Sequence, residues 1–203
     1  MAYVLGFFTA DGNMLKNKRG AYFSEIQSTD KEILYKIRKV LRSNLKISEY
    51  QPKNPKHKKR YRLQIGSKEI FRDLLKLGIT PKKSKTIELP KIPNKYFSHF
   101  VRGYFDGDGC VSTCVYQKRD RKNPSNIIIS HFVSGSKKFL SEFYKKLKQK
   151  VVRGGTFYFH DGGYRLSFSI ADSRVLYEFM YNNSKELFLS RKKKIFEKYF
   201  EMR

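Results

Sequence analysis

Apolar and polar positions along this chain alternate between a period of two and a period near 3.6, and the order of these runs is written twice. In the first half, Tyr22, Ser24 and Ile26 alternate with Phe23, Glu25 and Gln27, and with Met14 to Lys18 they predict a β-hairpin. Thr29-Asp30-Lys31-Glu32 offers an N-cap with Glu at the third helical position, opening a helix with Ile33, Leu34, Ile37, Val40 and Leu41 on one face. Strands are predicted at Lys46 to Lys53 and Arg60 to Gly66, joined by the basic turn Pro52 to Lys59. Ser67 caps the next helix, whose apolar positions are Ile70, Phe71, Leu74, Leu75 and Leu77 before Gly78 ends it.

The second half repeats this order. Cys110 to Gln117 and Asn126 to Ser134 read as strands around a polar loop, Lys118 to Ser125. Ser136 caps a helix carrying Phe139, Leu140, Phe143 and Leu147, and Val151 to His160 pairs with Tyr164 to Ile170 around Asp161-Gly162-Gly163. Asp172 caps a helix through Val175, Leu176, Phe179 and Met180, and a basic helix runs from Ser190 to Phe200. The fold class is α+β, two tandem αββαββα repeats: 1–79 and 95–203, with a proline-stiffened linker at 80–94.

Each repeat opens on the same short run, Val4-Leu5-Gly6-Phe7-Phe8-Thr9-Ala10-Asp11-Gly12 and Val101-Arg102-Gly103-Tyr104-Phe105-Asp106-Gly107-Asp108-Gly109, at an offset of 97 residues. Gly6 with Ala10, and Gly103 with Gly107, put two small residues on one helical face, where a second backbone can approach. Packed through those faces, the helices bring Asp11 and Asp108 together at their C-termini, a place for a divalent cation. The closing glycines are expected to end the helices in a left-handed conformation.

Antiparallel sheets backed by helices on one face leave the other face free for polar and aromatic side chains. In the first half these are Lys16, Lys18, Arg19, Tyr50, Gln51, Lys53, Arg60, Arg62 and Gln64. In the second they are Tyr116, Lys118, Arg153, Tyr158, His160 and Arg165. Charge sharpens the picture: 44 Lys and Arg stand against 18 Asp and Glu, for a net +26, and a polyanion relieves such self-repulsion. Two such sheets side by side make a basic saddle, and the DNA major groove admits a β-ribbon. The alternative is a merely solvated sheet face. No run of about 18 apolar residues is present to span a bilayer, and the first residues lack a signal-peptide pattern, so an intracellular setting, cytoplasm or organelle matrix, is expected. Two cysteines, Cys110 and Cys114, exclude a disulfide framework and are expected as ordinary, partly buried strand thiols.

The two motifs and the repeated element order resemble the LAGLIDADG homing endonucleases in their single-chain, two-motif form. The resemblance spans the chain and implies a pseudo-symmetric monomer that hydrolyses both strands of a long asymmetric duplex target across the minor groove. It implies divalent metal held by Asp11 and Asp108, helped by the carbonyls of Ala10 and Gly107. The metal it implies is Mg2+, with Mn2+ expected to substitute and Ca2+ expected to bind without efficient cleavage. It further implies a basic residue near each scissile phosphate, assigned to Lys83 and Lys192, and a water-organising polar residue at Gln27, whose counterpart falls near Val133. The family's acid two places before the metal acid is Asp106 in the second motif and Thr9 in the first, a supporting position where Thr9 is expected to be tolerated. The alternative is a non-cleaving binder of the same fold, such as an intron RNA maturase. A purely structural basic protein explains the charge but not the repeat. With the motif beginning near residue 3, a free-standing or intron-encoded form is expected in preference to an intein-resident one.

Overall fold

The computed structural model describes residues 1–54, 56, 58–117 and 123–202. The first half comprises α1 (Ala2–Asp11), β1 (Gly12–Lys16), β2 (Tyr22–Ser28), α2 (Lys31–Val40), β3 (Ser48–Tyr50), β4 (Arg60–Gly66) and α3 (Lys68–Lys76). The second comprises α4 (Phe97–Asp108), β5 (Gly109–Tyr116), β6 (Ser125–Ser134), α5 (Lys137–Lys150), β7 (Thr156–His160), β8 (Gly163–Phe168), α6 (Ile170–Tyr181) and α7 (Ser190–Glu201). The strands form two antiparallel sheets of the same order, β1-β2-β4-β3 and β5-β6-β8-β7, giving the α+β architecture of two pseudo-symmetric repeats.

The helices cover one face of each sheet. Met14, Ile26 and Leu63 point into the first core with Ile33, Leu34 and Ile37 of α2. Phe132, Ile128, Leu166 and Phe168 pack with Phe139, Phe143 and Tyr104 in the second. Ser67 and Ser136 cap as predicted, accepting from the amides of Ile70 and Phe139 at 3.2 Å. The Asp161-Gly162 turn has positive φ at both residues, which suits the tight hairpin.

Several local expectations are corrected. Strands β3 and β7 are shorter than their apolar patterns. Asp30 occupies the N-cap of α2 without capping it: its carboxylate pairs instead with Arg191, at 3.0 Å from both Nε and Nη2. Helix α6 starts earlier than Asp172, at Ile170, and the Asp172 carboxylate instead accepts from the amides of Arg153 (2.8 Å) and Gly154 (3.0 Å), fixing the chain that enters β7. Val40, Ile70, Leu75 and Leu77 remain exposed, because only part of each amphipathic face meets its sheet. Cys110 and Cys114 are exposed as well.

The proline-rich segment after α3 is pinned along α5. Ser136 donates to the Ile87 carbonyl at 2.7 Å, Glu142 accepts from the Leu89 amide at 3.3 Å, and Lys146 donates to the Ile92 carbonyl at 2.9 Å. A 3-10 turn, Lys83–Lys85, lies within it.

Candidate active site

Helices α1 and α4 lie side by side and run in the same direction, forming the most extensive contact between elements outside the sheets. A methyl group on Gly6 would strike the carbonyl of Phe100, one on Gly103 the carbonyl of Tyr3, and one on Gly107 the methyl of Ala10. All four small residues predicted at the interface therefore sit in it, and backbone meets backbone. The glycines that follow, Gly12 and Gly109, are extended (φ −81° and −89°), so the left-handed ending is not found. They are needed because a side chain there would collide with Phe8 and Phe105 of the preceding turn, and each helix runs straight into its first strand.

This packing carries Asp11 and Asp108 to adjacent helix ends. A carbon added to Gly107 would lie 3.4 Å from Asp11 Oδ2. Neither carboxylate has a hydrogen bond or ion pair among the described residues. Loss of hydration, reinforced by the negative charge of Asp108, pushes Asp11 up to about 7. Loss of hydration also raises Asp108, with Lys83 and Lys192 opposing. The helix C-termini add their own negative potential.

Two buried lysines flank the pair. Lys83 donates to the carbonyl of Gly12, and Lys192 to the carbonyls of Gly109 (2.6 Å), Phe105 (2.6 Å) and Asp106 (2.8 Å), with Gly107 more distant at 3.4 Å. Burial lowers both, Lys192 to about 8.

The position two residues before each aspartate breaks the symmetry. Asp106 is buried and accepts from Tyr3 Oη (2.6 Å), across the helix interface, and from the amide of Leu189 (2.9 Å), which precedes α7. Its other oxygen, Oδ1, has no protein partner, and burial raises its pKa. Thr9 instead bonds back to the Leu5 carbonyl of its own helix at 2.8 Å.

A cavity of about 370 Å³ opens beside Asp11, lined also by Asn13, Gln27, Asp30, Arg60 and Arg191 among others. Register places Asn13, Glu25, Gln27, Arg60, Arg62 and Gln64 on the helix-free face of the first sheet. Tyr116, Tyr158, His160 and Arg165 share that face of the second. Gln27 pairs with Arg62 across β2 and β4, and the matching pair in the second sheet is Val133 with Arg165. Lys16 is an exception: its register puts it on the helical side, with Nζ 5.3 Å from the centre of the Tyr22 ring. Lys18, Arg19, Gln51, Lys53 and Arg153 lie exposed beyond strand ends. Lys118 lies outside the described residues.

Solved structures share this fold over nearly the whole chain. The I-LtrWI LAGLIDADG homing endonuclease bound to target DNA superposes with a TM-score of 0.64 at 13% identity, covering 99% of this chain and 88% of that one. I-SmaMI bound to an uncleaved DNA target in the presence of calcium ions gives 0.65 at 12% identity, covering 99% and 89%. Residues 1–77 match the family model of the LAGLIDADG-like domain. The chain has the two-motif LAGLIDADG fold. A curated relative, an uncharacterized protein of Methanocaldococcus jannaschii, is 24% identical over 184 residues, covering 82% of this chain. The chain spans 60% of the length of that relative.

Within this LAGLIDADG fold, sequence reasoning missed three features of the site. Glu25 is a buried carboxylate on the helix-free sheet face, Arg191 is locked to Asp30, and Tyr3 reaches Asp106. An acid in an alternating strand reads as solvated, and the other two depend on partners remote in sequence.

Proposed function

We propose that this chain is a divalent-metal-dependent, site-specific endonuclease that hydrolyses both strands of a long, asymmetric duplex DNA. The repeats 1–79 and 95–203, joined by 80–94, each cover one half-site, so the active form is a monomer. The observation that carries the reading is the convergence of Asp11 and Asp108, unpartnered, at two packed helix C-termini, each end flanked by a buried lysine.

The donor set suits a hard cation. Two carboxylates and the adjoining Ala10 carbonyl offer oxygen only; the Gly107 carbonyl is shared with Lys192. The described residues hold no group of three or more His, Cys, Asp or Glu able to enclose a metal. This fits Mg2+, which binds through one or two carboxylates and takes its remaining oxygens from substrate phosphate and water. When bound there, such a cation lowers the pKa of water and neutralises charge developing on a phosphoryl oxygen.

The chain's own residues do the rest. Asp11 and Asp108 fix the position of the cleaved bonds relative to the sheets. Lys83 and Lys192 place positive charge beside each helix end, where it stabilises negative charge growing on a phosphate. Gln27, in the cavity with Asp11, orients water on one strand. Val133 stands in its place in the other half, so the two strands are served by unequal sites. Arg60, Arg62 and Gln64, with Tyr116, Tyr158, His160 and Arg165, face the major groove, and the remaining exposed basic side chains hold phosphates.

The test is incubation with a library of randomised duplexes, with Mg2+ and separately with Ca2+, sequencing cut and retained molecules. Cutting of one long asymmetric site with Mg2+ supports the reading. Retention without cutting under both conditions makes the chain a non-cleaving binder.

A further inference from the structure

Glu25 is only 4% exposed although it lies on the helix-free face of the first sheet. Three amide side chains converge on it. Asn13 Nδ2 and Gln27 Nε2 each lie 3.2 Å from Oε1, and Gln64 Nε2 lies 3.1 Å from Oε2. Arg62 Nη1 stands 3.8 Å from Oε2. Register explains the convergence: Glu25 is the cross-strand partner of Asn13 on β1 and of Gln64 on β4, and Gln27 follows it by two on β2.

An amide can ordinarily turn either its oxygen or its NH2 outward, and so can match a donor or an acceptor on a base. An ionised carboxylate only accepts, so a flipped amide would set oxygen against oxygen. Each of the three therefore gives one N–H to Glu25 and holds its carbonyl oxygen, with its second N–H beside it, for another molecule. No protein donor reaches those three oxygens among the described residues.

We infer that Glu25 sets the hydrogen-bond polarity of this recognition face, so that Asn13 and Gln64 select bases that carry a donor on the major-groove edge. Adenine fits best, because its N6 donor meets the amide oxygen and its N7 acceptor meets the remaining N–H; cytosine N4 supplies the donor alone. Guanine and thymine can be met through the second N–H alone, and their O6 or O4 sets oxygen against the amide oxygen, so they are disfavoured. Gln27 presents the same kind of oxygen toward the cavity beside Asp11, where water can donate to it. The inference rests on the DNA reading above and goes further by assigning a base class.

The second half has no such lock. The position of Glu25 is taken by His131, with Cys110 and Ser167 across from it. The two half-sites are therefore read by different chemistry.

Selection by binding, from randomised duplexes in Ca2+, tests this without cleavage. Asn13→Ala and Gln64→Ala identify the positions that these side chains read, because selection there disappears. In the native chain those positions favour adenine, then cytosine, by about tenfold over guanine and thymine. Glu25→Gln, whose amide accepts or donates, erases that preference, while positions read by the second half stay unchanged. Guanine or thymine at the identified positions, or an unaltered adenine preference in Glu25→Gln, overturns the inference while leaving DNA recognition intact. If Glu25→Gln does not fold, the native profile with the two alanine variants decides alone. Absence of any duplex selection by the native chain removes the DNA reading, and this inference with it.

Discussion

Lys83 and Lys192 occupy the same place in the two halves: one donates to the carbonyl of Gly12, the other to that of Gly109, the residue that repeats Gly12. They arrive from unlike elements, a 3-10 turn after α3 and the first turn of α7. What recurs is a charge at the end of each motif helix, reached by different routes. Their grips differ, since Lys192 also holds Phe105 and Asp106.

Replacing either lysine with methionine is expected to slow cleavage by about 10²-fold while duplex binding persists. Lys192→Met also costs about 1–3 kcal/mol of stability, because buried carbonyls lose their donor. The native Lys192, lowered to about 8, binds fewer protons folded than unfolded up to the ordinary lysine value of 10.5. Its contribution therefore makes stability rise with pH across that window. Urea unfolding at pH 8 and pH 10 measures this slope, which Lys192→Met removes.

Asp11 has the opposite sign. Raised from 3.8 to about 7, it binds more protons folded than unfolded between those values, so its contribution makes stability fall as pH rises through them. Asp11→Asn is expected to raise the Tm, more at pH 8 than at pH 4. Millimolar Mg2+ should raise the native Tm by binding the folded state and move the variant less. Thermal unfolding at two pH values with and without Mg2+ measures both effects.

The helix interface admits no added methyl. Gly103→Ala drives a carbon into the Tyr3 carbonyl and is expected to destabilise the fold by about 1–3 kcal/mol or more, whereas Gly20→Ala meets open space around its added carbon and disturbs no packing, although its φ of +84° adds local strain. Denaturant midpoints for the two variants separate close packing from turn strain.

Tyr3→Phe removes a donor from Asp106, whose Oδ1 already lacks one. A loss of about 1–3 kcal/mol is expected, greater at pH 8 than at pH 4, where protonation of Asp106 relieves the buried charge. Unfolding at the two pH values checks the difference.

What the sequence made legible follows from what is local. Ser67 and Ser136 cap helices that begin beside them, and the small residues of the motifs mark their own contact face. Asp30 and Asp172 also sit near helix starts, but each had a competing partner, the Arg191 guanidinium and the amides of Arg153 and Gly154, that only the tertiary fold brings near. Lys16 was misplaced because alternation fixes two faces without saying which is covered, and the register with Tyr22 turns it to the helical side. Glu25 escaped for the same reason: its burial comes from Asn13, Gln27 and Gln64, which no single strand shows together.

On the proposed function, Asp11 and Asp108 together make the cleavage centre. The most direct measurement is scission of each end-labelled strand of a selected duplex target in Mg2+ by the native chain, Asp11→Asn and Asp108→Asn, with binding measured in parallel. Loss of double-strand cleavage in both variants, with binding retained, is the result expected. Double-strand cutting at the native rate by either folded variant would exclude that shared role.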